Sequence, residues 1–178
     1  MCGLSGRELS MSEIIFKIGP RINASGRMEC GKESVDLLVE RDINEALRRA
    51  RHIDTYNEQR KGIDRQMTDE ANLIVNRLES QSHQSSIVLY DEHWKKGVVG
   101  IVASRLTEIY FRPTVVITRE GDLATGSARS VAGFDIYSAI KSCRDLLLNF
   151  GGHTYAAGLT LRWSDVREFR NRFQAYVD

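Results

Sequence analysis

From Ser86 onward the chain alternates short runs of β-branched residues with amphipathic stretches, whereas almost everything before it follows a helical period. Ser86 to Tyr90 predicts a strand, Val98 to Tyr110 a helix, Thr114 to Thr118 a strand behind Pro113, and Leu123 to Ala128 a further strand. Asp135 reads as the N-cap of a helix reaching about Leu147. Gly158 to Arg162 predicts the last strand, and Ser164 opens a terminal helix carrying Val166, Phe169, Phe173 and Val177 on one face. The fold class is therefore α/β, without internal repeats.

Before this region, Ser12 to Arg27 reads as a short apolar helix or strand broken by a turn at Gly19-Pro20. A helical stretch from Lys32 leads to Asp42, an N-cap candidate with Glu45 three residues later, and into a long helix reaching about Leu78. Its apolar seam, Ile43, Leu47, Ala50, Ile53, Ile63, Met67, Ala71, Ile74 and Leu78, is narrow and surrounded by charges. Such a helix is expected to pack on little, and suits either a connector between bodies or a solvated coiled-coil arm.

With 178 residues, 42% hydrophobic and 28% charged, the composition is that of a soluble globular chain of one compact domain, or a small domain with a helical arm. A net charge of +1 argues against a general polyanion binder, so any nucleic-acid contact should be a local arginine cluster. Cys2, Cys30 and Cys143 lack CxxC spacing and fit neither a disulfide framework nor a zinc knuckle; a reduced, cytoplasmic setting fits best. No segment resembles a signal peptide or approaches the roughly 20 apolar residues of a membrane span. The opening residues, MCGLSGRELS, read like the interior of a longer protein.

Four places carry candidate chemistry. Phe150-Gly151-Gly152-His153 presents an imidazole on a loop stripped of side chains, able to press on a phosphate or base, although a histidine after a glycine turn is also an ordinary structural residue. Gly126-Ser127-Ala128-Arg129-Ser130 offers two hydroxyls and a guanidinium that can hold a phosphate, or else an exposed strand end. The following Asp135 helix should bring an anion-friendly N-terminus to the same place. In Asp91 to Gly100, Trp94 can stack on a base or cap the core. Gly26 to Glu33 nearly spells a P-loop, but Glu33 stands where a magnesium-binding hydroxyl is required, and no strand runs into it. His52, His83, His93 and His153 are scattered, and no HExxH or serine elbow occurs, so a complete two-metal hydrolytic centre cannot be assembled.

Taken in order, GPRINASGRM at 19–28, the long helix, WKKGVVGIVASRL, GSARSVAGFD and FGGHTYAAGLTL resemble the RecJ single-strand-specific exonucleases of the DHH phosphoesterase superfamily. The resemblance implies the tail end of a DHH domain at 1–41, a long connecting helix at 42–82, and at 83–178 a DHHA1 domain with a central mixed β-sheet flanked by helices. It implies a chain that binds single-stranded DNA and is inactive alone. Manganese or magnesium would be held by the absent DHH domain, an OB-fold domain is also absent, and no residue of this chain would be a metal ligand. Arg27, Ser127, Arg129 and Ser130 would line the pocket for the terminal phosphate and nucleotide, and Gly151, Gly152 and His153 would face the metal centre, with His153 touching the scissile phosphate. Ser25 stands where the family often has alanine, a change not expected to alter the site. The resemblance leaves open a phosphodiesterase for cyclic dinucleotides or short RNA, and a non-catalytic nucleic-acid or protein-binding module.

Overall fold

The computed structural model describes residues 3, 4, 6, 8–80 and 84–178; Cys2, Gln81, Ser82 and His83 lie outside the described residues. The chain divides into two compact units, Met1–Ile63 and Asp64–Asp178.

In the first unit, α1 (Met11–Glu13), a π-helical turn (Ile14–Ile18) and α2 (Gly19–Met28) form one helical run. Gly19-Pro20 does not break it. The Gly19 N–H reaches back five residues to the Ile14 carbonyl, widening the helix just ahead of Pro20, which sits in the first turn of α2. α3 (Lys32–Val39) follows. The buried hydroxyls of Ser25 and Ser34 lie 2.7 Å apart, and Ser34 donates to the Ile22 carbonyl at 2.6 Å, so Ser25 works in the joint between α2 and α3.

The long helix, α4, is Ile43–Glu79. Asp42 caps it as expected, Oδ1 accepting from the N–H groups of Asn44 at 3.0 Å and Glu45 at 2.9 Å. The expectation that it packs on little is corrected. Ile53, Tyr56 and Asn57 are buried in the first unit, and Asp64, Met67, Thr68, Ala71 and Val75 in the second, whereas Ile43 and Leu47 are exposed. The buried stripe is wider than its apolar seam because polar groups with partners complete it: Tyr56 donates to Glu29 at 3.0 Å, and Asp64 receives two guanidinium N–H groups of Arg105 at 2.9 Å each.

The second unit is built on a five-stranded sheet of order β1-β2-β3-β5-β4, with β1 Ile87–Asp91, β2 Thr114–Glu120, β3 Leu123–Arg129, β4 Leu147–His153 and β5 Ala156–Arg162. β1 runs parallel to β2 and every other pair is antiparallel, which makes the sheet mixed. Helix α5 (Val99–Tyr110) lies between β1 and β2, α6 (Ile136–Lys141) between β3 and β4, and α7 (Val166–Val177) closes the chain. The helix expected from Asp135 to Leu147 is thus shorter. α6 ends at Lys141, a 3-10 turn covers Arg144–Leu146, and Leu147 begins a strand where the spacing predicts helix.

Side chains in register on neighbouring strands share a face. One face, with Val88, Val115, Ile117, Ala124, Ala128, Ala157, Leu159 and Leu161, buries against Ile136, Ile140, Phe169 and Phe173 of α6 and α7. On the other, α5 covers β2 and part of β3, and α4 is tied to α5 and its flanks through Asp64–Arg105, Asn72–Tyr110 and Glu79–Arg112. Beyond α5 this face is open over β5 and β4.

Candidate nucleic-acid interface on the open sheet face

The open face is made of small and polar residues because strand alternation sends the apolar ones to the other side. Register aligns Gly151, Gly158 and Ser127 in one row across β4, β5 and β3, and Asn149, Thr160 and Thr125 in the next. Gly151, Gly158, Asn149, Thr160 and Thr125, together with Gly126, Phe150 and Leu159, line a shallow depression of 310 Å³, and Ser127 ends the first row just outside it. A third row holds His153, Ala156 and Arg129. At about 4.8 Å per strand, the backbones of Arg129 and His153 stand roughly 10 Å apart.

The Arg129 guanidinium is fixed before any ligand arrives. Nη1 donates to Ser127 Oγ at 2.7 Å and to the Ala128 carbonyl at 2.8 Å, and Nε to Ser104 Oγ at 3.1 Å. Ser104 in turn donates to the Gly100 carbonyl at 3.0 Å. A Cβ on Gly100 would lie 3.1 Å from both Arg129 Nη2 and Ser127 Oγ, so a side chain there would push on the guanidinium and its serine partner, and the bare first turn of α5 lets them sit where they do. Ser104 was not singled out in the sequence. Its only signal is its position four residues beyond Gly100, one turn along the helix.

His153 is exposed at the end of β4, and its Nδ1 accepts the Tyr155 N–H at 3.2 Å. In the neutral ring the proton therefore sits on Nε2, which becomes a donor suited to a phosphate oxygen. The Gly-Gly-His segment is not the free loop expected from its composition but part of a strand paired residue by residue with β5. Gly151 has open space around its missing side chain, whereas Gly152 has φ +152° and a Cβ there would come 2.3 Å from the Ala156 carbonyl oxygen. Two adjacent glycines thus have different reasons: one keeps the floor low, the other lets two backbones meet.

Other candidates fall elsewhere. Ser130 gives its hydroxyl proton to the Phe134 carbonyl at 2.6 Å and its N–H to the Tyr155 carbonyl at 3.0 Å, closing the turn after β3. The N-terminus of α6 is not an anion site, as had been expected, because the Asp135 carboxylate already fills it. Oδ1 accepts from Tyr137 and Ser138 N–H, and Oδ2 from the Ser138 hydroxyl at 2.7 Å; that hydroxyl above all, with the backbone donors, holds Asp135 below the usual carboxylate range. Trp94 is structural: it is buried, and its indole N–H donates to Glu70 at 2.9 Å. Arg27 is exposed in the last turn of α2, in the first unit, and Gly26 is helical rather than part of a phosphate loop. Among the described residues no group of three or more His, Cys, Asp or Glu side chains could hold a metal ion.

Residues 70–178 match the DHHA1 domain model. The chain belongs to the DHHA1 domain family. It is 41% identical over 174 residues to the single-stranded-DNA-specific exonuclease RecJ of Bacillus subtilis, covering 96% of this chain but only 22% of that protein. RecJ of Thermus thermophilus, solved in complex with Mg2+, superposes with a TM-score of 0.85 at 31% identity over 97% of this chain and 26% of its own. The same protein with Mn2+ gives 0.83 at 32% identity, over 97% and 25%. The chain thus spans about a quarter of the length of these relatives. Within the DHHA1 match lie the whole sheet, Gly100, Ser104, Ser127, Arg129 and the Gly-Gly-His strand, whereas Arg27 precedes it.

Proposed function

We propose that this chain is the DHHA1 portion of a RecJ-like 5′-to-3′ single-stranded-DNA exonuclease, and that its open sheet face receives the terminal nucleotide and phosphate. The observation that carries the reading is the guanidinium of Arg129, held in place by Ser127, Ser104 and the bare first turn of α5. A pre-positioned planar fork suits a phosphate and loses little entropy when it binds one. Ser127 Oγ accepts a hydrogen bond from Arg129 Nη1 and keeps its own O–H to donate to the ligand. His153, across the same row, offers its Nε2 proton to the scissile phosphate, and the floor at Gly151 and Gly158 admits a nucleotide close to the backbone. The resemblance also implies a phosphate-binding role for Arg27, which lies in the first unit.

Magnesium or manganese would supply the activated water and the charge stabilisation of hydrolysis. The described residues do not fit such an ion, so its ligands are assigned to the DHH domain of a longer protein, and the isolated chain is predicted to release no mononucleotides. The domains would then be 1–41 as the end of the DHH domain, 42–82 as the connector and 83–178 as DHHA1.

The test compares binding of a 5′-phosphorylated oligonucleotide, its unphosphorylated form and a cyclic dinucleotide. Phosphorylated DNA is expected to bind best, and Arg129→Ala to weaken it about ten- to hundredfold, the loss of a charged hydrogen-bond donor. Preference for the cyclic dinucleotide, or an Arg129→Ala protein that binds as tightly as the parent, overturns the reading. Manganese-dependent release of mononucleotides by the chain alone overturns the assignment of the metal centre elsewhere.

A further inference from the structure

At the other end of the sheet from Arg129 and His153, a cleft of 550 Å³ opens between the β2–β3 hairpin and the β5–α7 turn, lined by Arg119, Asp122, Leu123, Arg162, Trp163 and Ser164. Its volume is in the range of small-molecule and nucleotide sites. Trp163 stands at its wall with Arg119 Cζ 5.5 Å from the ring centre and Tyr90 edge-on at 5.9 Å, a packing that fixes the indole. Arg119 itself is held by the Gly121 carbonyl at 2.7 Å and by Glu92 at 3.1 Å. Arg162 is exposed and makes no ion pair among the described residues. Arg162 pairs in register with Leu123 on the open face that carries Thr160, Thr125, Gly158, Ser127 and Arg129, whereas Tyr90 and Arg119, which hold Trp163, belong to the opposite face. The cleft therefore lies at the end of the sheet where the two faces meet, and a strand from Arg129 must reach that end.

We propose that this cleft is a second contact for single-stranded DNA, in which a base stacks at Trp163 and a phosphate meets Arg162. The inference rests on the nucleic-acid reading given above and extends it away from the terminal nucleotide. An aromatic platform beside a guanidinium is the arrangement that holds single strands without sequence preference. The charge of Arg119 is offset by Glu92 and that of the lip by Asp122, so Arg162 supplies the phosphate contact and the indole most of the affinity. The distance sets the length of strand required. From Arg129 to Leu123 along β3 is roughly 20 Å at about 3.4 Å per residue. That span is about six nucleotides at a stacked rise of about 3.4 Å per nucleotide.

Equilibrium binding of 5′-phosphorylated dT3 and dT15 to the 178-residue chain tests this, read by anisotropy and by intrinsic tryptophan fluorescence. Trp94 is buried against Glu70, so quenching on binding reports Trp163. dT15 is expected to quench the emission and dT3 not to. Trp163→Ala should weaken dT15 about tenfold and leave dT3 unchanged. Because Trp163 also packs on the core, Arg162→Ala serves as the surface variant: it should lower the slope of log affinity against log salt by about 0.7 for dT15 alone. If both variants bind dT15 like the parent while Arg129→Ala weakens both oligonucleotides, the cleft is not a DNA contact and the terminal site stands. If Arg129→Ala is also without effect, or neither oligonucleotide binds at low salt, both readings fall.

Discussion

Gly151 and Gly152 are neighbours of identical chemistry in the same strand, and alanine at the two positions should have opposite consequences. At Gly152 the backbone has φ +152°, and a Cβ would lie 2.3 Å from the Ala156 oxygen, 2.5 Å from Ala157 Cα and 2.7 Å from Ala157 Cβ. The obstacles are backbone and a methyl on β5, which cannot rotate away, so β4 and β5 must separate. Strain of this kind costs about 1–3 kcal/mol, and overpacking at a closed contact about as much again. Gly152→Ala should therefore lose about 3 kcal/mol or more, against a total stability of about 5–15 kcal/mol for an ordinary domain. At about 2–4 °C per kcal/mol the melting midpoint should fall by roughly 6–12 °C. At Gly151 a Cβ meets nothing within 4 Å, and alanine there should leave the midpoint within about 2 °C, in line with substitutions that touch nothing. Its methyl would instead rise from the floor of the open face and weaken binding of a phosphorylated strand. Thermal denaturation followed by circular dichroism, beside DNA binding, separates the two. A Gly152→Ala protein that melts with the parent would refute the steric reasoning, and a Gly151→Ala protein that binds DNA as tightly as the parent would refute the placement of the strand on this face.

Arg105→Ala should destabilise the second unit by about 2–3 kcal/mol, below the full cost of orphaning a buried ion because the guanidinium is half exposed. Asp64, with its side chain only 2% exposed, loses the two guanidinium donors that offset its charge, and adding Asp64→Asn should recover part of the loss in urea denaturation. The hydrogen bond to Asp64 raises the Arg105 pKa, so its contribution persists below the unfolded arginine value and is lost only in strong alkali; melting between pH 5 and 9 should not report it. Asp135 behaves in the opposite sense: its folded pKa is depressed, so its capping contribution is present above the unfolded value of about 4 and disappears as pH falls through the folded value. An Asp135→Asn protein should accordingly lose less stability than the parent between pH 5 and 3. Burial pushes the Cys143 thiol up, while Cys30 is exposed, so native-state alkylation at pH 8 followed by mass mapping should modify Cys30 and spare Cys143 until the protein is unfolded.

Most elements were legible because their periods are local: strands β1, β2, β3 and β5, helices α3, α5 and α7, and the Asp42 and Asp135 caps all follow from residues within a few positions of one another. β4 was not, because Ile136, Ala139, Ile140, Cys143 and Leu147 keep a helical spacing across α6 and beyond it, and Gly151-Gly152 argues against a strand by composition. What makes it a strand is long-range. β5 supplies its hydrogen bonds along one edge, and Gly152 fits against Ala156 and Ala157 where no other residue would. The same division runs through the site. The motifs around Arg129 and His153 were visible as short segments, but the partners that give them chemical meaning are set by register and by α5. Ser104 matters only because Gly100 lets α5 descend onto β3, and Thr125, Thr160 and Gly158 matter only because three strands align them with Gly151 beyond the edge of that helix. A small residue in the first turn of α5 therefore does two things at once. It seats the arginine, and with Ser127 beside it that seat lies at the border between the covered and open parts of the sheet. A larger residue at Gly100 should consequently disturb the guanidinium before it disturbs the fold, since the nearest atoms it meets are the ends of two side chains rather than backbone.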